Sequence, residues 1–211
     1  MNKFDLTTIY NEKRPLSWSA LSSFEYRPSD WYKRYVLKES TPPSIEMVFG
    51  KKVGEKLADD PDFLPHIPRL PVFEQRLSTI FDGIPLVGYI DSFDFDNKKL
   101  LEYKTGRNIW DKVRADKHGQ IDAYLLMLYL EYQIRPEEME CAVVWMPTHI
   151  KDGKVTFVDK KRAHVFPTKR TMRQMLAFGQ RIKDTWDHME DYAGRQHAHI
   201  PVDKPLSKFL R

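Results

Sequence analysis

The spacing of hydrophobic positions changes along the chain, and each pattern predicts a different kind of element. Residues 118–135 are apolar on nearly every face and stop before Pro136, which is typical of a mostly buried helix. Runs of strand character occupy residues 72–80, 85–95 and 99–104, with turn residues at 82–83 and 96–97 between them. The pattern therefore predicts a three-stranded meander followed by a buried helix.

The segments on either side of this centre add helices and short strands. They are short helices within 15–37 separated near Pro28, a helix over 45–57, and strands over 142–146, 155–158 and 163–166. Thr168 is expected to cap a last helix. The order αβββαβ, with helical additions at both ends, predicts an α/β fold.

The length of the chain favours one well-filled core, and no repeat or low-complexity linker divides it. We therefore expect a single domain over residues 1–211. Its parts are an N-terminal helical lobe at about 15–40, a core at about 45–147, and C-terminal strands and a helix at about 153–192.

The second hairpin of the meander brings two carboxylates together. If Asp96 and Asn97 are its two loop residues, counting outward places Asp91 directly across from Glu102. Carboxylates in this position repel each other unless a hard divalent cation lies between them. Alternation puts Lys104 on the same face as Glu102. This grouping suits phosphodiester hydrolysis with Mg²⁺ or Mn²⁺, in which the lysine stabilises developing negative charge.

Two features of this region are also compatible with ordinary structure. An acidic residue two positions before a lysine recurs elsewhere, for example at Asp159 and Lys161, so the hairpin alone also fits a solvated strand face. On the following helix, Gln120 and Tyr124 lie four residues apart and share one face. Taken alone, that pair also fits a packed tyrosine beside a surface glutamine.

Taken in order, these segments resemble the RecB-like branch of the PD-(D/E)XK nuclease superfamily. The residues that carry the resemblance are Gly88-Tyr89-Ile90-Asp91, Glu102-Tyr103-Lys104-Thr105-Gly106, Gln120-Ile121-Asp122-Ala123-Tyr124, and the opening Ser17-Trp18-Ser19-Ala20-Leu21-Ser22-Ser23-Phe24 with Pro28. The resemblance implies a restriction-endonuclease-like αβββαβ core with a central mixed sheet. It also implies a metal-dependent DNA exonuclease or related nuclease acting in DNA repair, recombination or phage DNA processing. The catalytic set that it implies is Asp91, Glu102, Lys104, Gln120 and Tyr124.

One departure from the family pattern concerns the first metal ligand. The family often has histidine in a Gly-x-x-x-His-Glu pattern, and here Gly54 stands at the histidine position. Glu55 is the candidate third metal ligand beside Asp91 and Glu102, and the alternative is a solvated helix charge next to Lys52. The missing histidine leaves open a catalytically inactive nucleic-acid-binding or complex-forming protein of the same fold.

A second departure concerns cysteine. Relatives that contain an iron–sulfur cluster have cysteine where this chain has Arg27, and the chain has one cysteine in all, Cys141, within an apolar run. We therefore expect no iron–sulfur cluster and a buried, unreactive Cys141.

The charge of the chain is compatible with a polyanionic partner, and its hydropathy does not indicate a membrane span. The chain has 34 Lys and Arg against 30 Asp and Glu, a mild basic excess that is compatible with a polyanionic partner. Four basic residues closely follow Lys104 and are expected to contact a phosphate backbone, with His118 adding to the positive charge. They are Arg107, Lys112, Arg114 and Lys117.

A second basic group is better explained as a solvated surface. It consists of Lys160, Lys161, Arg162, Lys169, Arg170 and Arg173. The longest apolar run, from Ala123 to Leu130, is far shorter than the roughly 20 residues of a spanning helix. We expect no membrane association and a cytoplasmic location. An α/β interaction protein without a nucleic-acid role is a further alternative, which absence of binding to DNA and RNA would favour.

Overall fold

The structure is a computed structural model that describes residues 3–198, in which the chain forms two compact units. Among the described residues, the first unit contains 3–41, 78–87 and 176–198, and the second contains 42–77 and 88–175. The expectation of one domain over the whole chain stays a prediction.

The elements follow the predicted order closely. The helices are α1 Trp18–Tyr26, α2 Pro28–Trp31, α3 Ile45–Asp59, α4 Lys112–Asp116, α5 Gly119–Tyr132 and α6 Met172–Ala198. The strands are β1 Leu16–Ser17, β2 Val72–Phe81, β3 Ile84–Asp94, β4 Lys99–Gly106, β5 Glu140–Lys151, β6 Lys154–Phe157 and β7 His164–Thr168. Single turns of 3₁₀ helix at Leu6–Thr8 and Pro136–Glu138 and a π-helical turn at Tyr32–Val36 complete the list.

The strands form one mixed seven-stranded sheet in the order β1-β3-β4-β5-β6, with β2 paired to β3 and β7 paired to β5. Strands β3 and β4 are antiparallel, whereas β4 and β5 are parallel. A parallel pair needs a long crossover, and α5 lies in the connection between β4 and β5. The predicted α/β class, the mixed sheet and the αβββαβ order are confirmed.

In the second unit the two faces of the sheet carry different helices. On one face, Val53 and Leu57 of α3 pack with Leu101 of β4 and Val144 of β5 in a buried cluster. The other face of β4 carries Glu102 and meets α5, which is buried on nearly every side, as predicted. The site residues of β4 therefore lie beneath α5.

The predicted cap of the last helix is wrong. Thr168 ends β7, where it is paired with Cys141, and its hydroxyl donates to Asp116 at 2.7 Å. The helix begins at Met172, and the Thr171 hydroxyl accepts from the Gln174 amide at 3.3 Å. Pairing of β7 with β5 keeps Thr168 extended, so the role of cap passes to Thr171.

Arg170 is also not part of a solvated surface. It is buried, forms an ion pair with Asp122, and donates to the carbonyl of Ala115 at 3.2 Å. A buried guanidinium with a carboxylate partner and carbonyl acceptors joins α4 and α5 to the end of β7.

The first unit is organised around aromatic residues. Phe24 of α1 packs edge-on against Trp31 of α2, with ring centroids 5.0 Å apart, and the Trp31 indole donates to the Tyr10 hydroxyl at 2.9 Å. Glu25 forms an ion pair with Arg181 of α6. The predicted break near Pro28 is confirmed, since α1 ends at Tyr26 and α2 begins at Pro28. No helix within residues 3–198 has the length and apolar character needed to cross a membrane.

Candidate functional site

The hairpin of β3 and β4 places Asp91 and Glu102 as predicted from the sequence. The loop has four residues, 95–98, rather than two, but the register is unchanged, with Ser92 opposite Leu101. Continuing this register by one residue sets Asp91 opposite Glu102. There the carboxylate of Asp91 accepts a hydrogen bond from the Tyr103 amide at 2.7 Å. The side chain of Asp91 thus binds the backbone of β4.

Glu102 and Lys104 form an ion pair that α5 holds in place. Lys104 Nζ lies 2.5 Å from Glu102 Oε1 and donates to Gln120 Oε1 at 2.8 Å. Gln120 Nε2 donates to the Tyr124 hydroxyl at 2.6 Å, and that hydroxyl lies 3.2 Å from Glu102 Oε2 and donates to the carbonyl of Tyr89. Lys104, Gln120, Tyr124 and Glu102 therefore form a closed ring of polar contacts.

Burial and charge act together on Asp91. Loss of hydration and the neighbouring charge of Glu102 raise the pKa of Asp91 to about 8, against the opposing effects of Lys104 and the Tyr103 amide. Asp91 is consequently mostly protonated at neutral pH unless further positive charge arrives. A carboxyl group that needs an added cation in order to ionise is typical of a functional site.

Gly88 allows α5 to approach this part of the sheet. A Cβ at position 88 would lie 2.6 Å from Met127 Cε and 2.9 Å from Tyr124 Cε1. Real side chains do not tolerate such distances, so a residue without a side chain is needed here. The glycine of the Gly-Tyr-Ile-Asp segment thereby lets the Tyr124 hydroxyl reach β3 and Glu102.

Glu74 of β2 is a third carboxylate near the site, and the sequence analysis missed it. Between β2 and β3, Asp82 and Gly83 have φ of 50° and 80°, as in a two-residue type I′ turn. Glu74 itself has a φ of 50°, so β2 is irregular at this residue, and the charge of Glu74 acts on Asp91. Burial raises the pKa of Glu74, and so do the charges of Glu102 and Glu55. The sequence carries no local signal for this residue, because its nearness to Asp91 depends on the pairing of β2 with β3.

Glu55, the candidate third metal ligand, makes no direct contact with this ring. Its side chain is 56% exposed and lies 3.8 Å from Lys51, four residues earlier on α3. Within residues 3–198, no three His, Cys, Asp or Glu side chains come together closely enough to hold a metal ion. The role of Glu55 stays a prediction.

The donor chemistry at Asp91 and Glu102 nevertheless fits Mg²⁺ or Mn²⁺. Both ions prefer oxygen ligands, and Mg²⁺ is usually bound by one or two carboxylates together with waters and substrate phosphates. Burial and the charge of Glu102 raise the pKa of Asp91, and an added cation would oppose both effects. Asp91 and Glu102 are therefore the residues that would hold such an ion, with waters and substrate phosphate as its other ligands.

The predicted phosphate-binding residues differ in the contacts that their basic side chains make within the protein. Arg107 pairs with Glu46 at 3.1 Å, and Lys112 pairs with Asp116. The Arg114 guanidinium lies over the Trp110 ring, 4.3 Å from its centroid, and Lys117 is exposed. Their contact with phosphate stays a prediction.

His118 does not add to this positive charge. Its ring packs edge-on against Trp110, with centroids 5.0 Å apart. Burial and the charge of Lys104 lower the pKa of His118 to about 3. The imidazole is therefore neutral at physiological pH.

Comparison with known proteins identifies the fold. No protein-family model and no curated protein sequence matches the chain. A candidate exonuclease from Eubacterium rectale has a similar structure, with a TM-score of 0.56 and 7% identity over 95% of this chain and 94% of that one. A phage-related exonuclease from Haemophilus somnus 129PT aligns with a TM-score of 0.45 and 10% identity over 85% of this chain and 82% of that one. The first likeness, with the observed strand order, confirms the predicted α/β fold with a central mixed sheet.

Proposed function

We propose that this protein is a metal-dependent nuclease of the RecB-like type that shortens DNA from an end, in repair, recombination or phage DNA processing. The observation that carries the proposal is the ion pair of Lys104 with Glu102 beside Asp91, whose side chain accepts from the amide of Tyr103 on the same strand as Glu102. Its fold is similar to that of a candidate exonuclease, which supports the same activity.

Asp91 and Glu102 are the residues that hold Mg²⁺ or Mn²⁺ in this proposal. When bound there, the ion supplies a Lewis acid for the phosphate and a means of ionising water at neutral pH. Asp91 would have to be ionised in order to hold the ion, and its pKa of about 8 in the metal-free protein means that it would lose a proton on doing so. Metal binding is therefore expected to strengthen as the pH rises towards 8.

Lys104 stabilises the negative charge that develops on the phosphate. Its ammonium is one quarter exposed and fixed by Glu102 and Gln120, so it is positioned before substrate arrives. Gln120 and Tyr124 are positioning residues, since they contact Lys104 and Glu102 and hold their side chains in place. The basic residues after β4 hold the phosphate backbone of the DNA.

A cleavage assay with defined ends tests this function. Single- and double-stranded DNA and single-stranded RNA, labelled at one end, are incubated with Mn²⁺, Mg²⁺ or EDTA. We expect progressive shortening of DNA only with metal. Lys104→Ala should lower turnover by roughly 100-fold or more, the effect of losing one strong electrostatic stabiliser, with little loss of affinity.

Lys99→Ala is the matched control, because Lys99 lies on the same strand but pairs with the exposed Glu140 at the opposite end. It should cleave at the wild-type rate. Cleavage in EDTA, or full activity of Glu102→Gln with native circular dichroism, contradicts the proposal.

A catalytically inactive DNA-binding protein is the second candidate, and Gly54 favours it. This glycine takes the place of the histidine ligand of the family pattern. Metal-independent binding of DNA by the wild-type protein without any cleavage in Mn²⁺ would establish this alternative.

A further inference from the structure

Two large apolar side chains project into solvent just after the strand that carries Lys104. Ile109 is 75% exposed and Val113 is 60% exposed. Between them lies Trp110, which is buried. The segment therefore buries one apolar side chain and presents two others outward.

Specific contacts hold this segment, so the exposure of Ile109 does not come from a loose loop. Arg114 Nη1 donates to the carbonyl of Ile109 at 3.0 Å while its guanidinium covers the Trp110 ring. The carboxylate of Asp111 accepts from the Arg114 amide at 2.7 Å and caps α4. The backbone on both sides of Ile109 and Val113 is thus fixed by polar contacts.

The C-terminal end of the segment is fastened to β7. Asp116 accepts from the hydroxyl of Thr168 at 2.7 Å, and buried Arg170 donates to the carbonyl of Ala115 at 3.2 Å. We call residues 109–116, with the exposed side chains of Ile109 and Val113, the platform. Because its backbone is fixed before a ligand binds, binding costs little conformational entropy, which favours a role in recognition.

The platform lies close to the proposed catalytic lysine. Ile109 follows Lys104 by five residues, which limits their backbone separation to about 17 Å. Ile109 is therefore at most about five stacked base steps, at 3.4 Å each, from Lys104, and fewer nucleotides of an unstacked strand would span this distance. The separation is further restricted because the Trp110 ring packs on His118, two residues before Gln120, whose side chain accepts from Lys104 at 2.8 Å.

The charges around the platform identify its occupant. Arg107, Lys112, Arg114 and Lys117 each lie within four residues of Ile109 or Val113 in the sequence. Among the carboxylates nearby, Glu46 pairs with Arg107, Asp111 caps the helix, and Asp116 is occupied by Lys112 and Thr168. A ligand with apolar faces and a chain of negative charges fits this pattern, and a nucleic acid strand has both. Only unpaired or unstacked bases expose their faces, and aliphatic side chains are known to insert between them.

We propose that Ile109 and Val113 contact the bases of a single strand of nucleic acid beside Lys104. This inference rests on the proposed function, because it makes the nuclease act on an unpaired end. The two residues separate or support the last bases, and the surrounding cations bind the phosphates.

Binding to oligonucleotides with and without bases tests the proposal. The probes are a single-stranded DNA oligonucleotide and one of equal length in which the central nucleotides are abasic, both measured by fluorescence anisotropy in EDTA. We expect the wild type to bind the first about tenfold more tightly, within the range seen for base contacts. In the variant Ile109→Ser/Val113→Ser this preference should fall below about twofold, with an unchanged salt dependence.

The matched control is Val158→Ser/Leu176→Ser, in which both parent residues are similarly exposed, at 52% and 61%. It should keep the full preference. A second variant, Ile109→Trp, should tighten binding several-fold and show fluorescence quenching by the base-bearing oligonucleotide only. If the serine variant keeps the preference for the base-bearing oligonucleotide, or if Ile109→Trp has no effect, the inference is wrong while the proposed function is unaffected.

Other outcomes separate this inference from the proposed function. A wild type that distinguishes the two oligonucleotides but never cleaves DNA contradicts the nuclease and leaves the base contact standing. A wild type that binds neither oligonucleotide at low salt overturns both. If the serine variant changes only self-association, measured by light scattering, the platform is a protein contact and the inference is wrong.

Discussion

At the scale of single residues, the environment of Asp91 disfavours the ionised form of its side chain. The side chain is largely buried, faces Glu102, and has a pKa of about 8 instead of its usual 3.8. Lys104 and the Tyr103 amide reduce this effect without cancelling it. The metal-free protein therefore carries an unfavourable interaction here that a bound cation would remove.

The raised pKa of Asp91 determines the direction in which stability changes with pH. Between pH 4 and 8 the unfolded chain has released the proton of Asp91 and the folded chain has kept it, so stability falls as the pH rises. The loss is complete above about pH 8. Asparagine does not titrate, so the Asp91→Asn protein should not lose this stability. Its free energy of unfolding relative to the wild type should therefore rise between pH 5.5 and 8.5, by an amount on the order of a few kcal/mol. Thermal unfolding in EDTA, followed by circular dichroism, measures this gain.

Asp94→Asn is the control for this measurement. Hydrogen bonds from the Asn97 amide and side chain lower the pKa of Asp94, so Asp94 is ionised in both states throughout this pH range. Its substitution should change the melting temperature equally at pH 5.5 and 8.5. A pH-independent difference for Asp91→Asn as well would show that the pKa of Asp91 is not raised.

Glu74 provides a second prediction at this scale. Its negative charge raises the pKa of Asp91, so Glu74→Gln should lower that pKa. The titration of Asp91 can be followed directly by ¹³C NMR of the carboxyl group in metal-free protein. Glu140→Gln, which removes an exposed carboxylate paired with Lys99, should leave it unchanged. An identical titration in the Glu74→Gln and wild-type proteins would remove Glu74 from the site.

At the scale of elements, the site depends on how closely α5 approaches β3. Tyr124 binds the carbonyl of Tyr89 and contacts Glu102, and this is possible because Gly88 has no side chain. The hairpin itself was predictable, because strand alternation and turn residues are local features of the sequence. The close packing of α5 was not, since a helix that is apolar on nearly every face does not show which side meets the sheet.

Gly88→Ala tests this packing. Its Cβ would meet Met127, whose end can move, and Tyr124, whose ring is held by its hydrogen bonds. We expect a loss of about 1–3 kcal/mol, the usual cost of overpacking. The melting temperature should fall by roughly 2–4 °C for each of these kcal/mol.

The chain offers a matched control in Gly54, a helical glycine of α3. A Cβ there has no neighbour within 4 Å. Gly54→Ala should therefore stabilise the protein by about 0.4–1 kcal/mol, because alanine has less conformational freedom in the unfolded chain. Equal melting temperatures for Gly88→Ala and wild type would mean that α5 does not need the glycine.

At the scale of the whole molecule, features that depend on partners far away in the sequence could not be predicted from local patterns. Arg170 was predicted to be one of six surface cations. It is instead buried and paired with Asp122, which lies far away in the sequence. Thr168 looked like a helix cap until its pairing with β5 made it a strand end. His118 looked like a cation, and its burial against Trp110 makes it neutral. In each case tertiary contacts outweighed a correct local preference.

Surface charge gives the last prediction, because the basic residues after β4 differ in whether they already have a partner. Lys112 is paired with Asp116, whereas Lys117 is exposed and takes part in none of the ion pairs of residues 3–198. Each cation that neutralises a phosphate of single-stranded DNA contributes about 0.7 to the slope of log affinity against log salt. Lys117→Ala should therefore lower that slope by about this amount. Lys112→Ala should lower it by less, since its charge is already partly neutralised by Asp116.

Anisotropy titrations at several salt concentrations measure both slopes. Lys160→Ala, from the second basic group, should leave the slope as it is in the wild type. Equal slopes for Lys117→Ala and wild type would mean that Lys117 does not contact the phosphate backbone. A larger drop for Lys112→Ala than for Lys117→Ala would mean instead that Asp116 releases Lys112 when DNA binds, because only a freed ammonium displaces a full counterion.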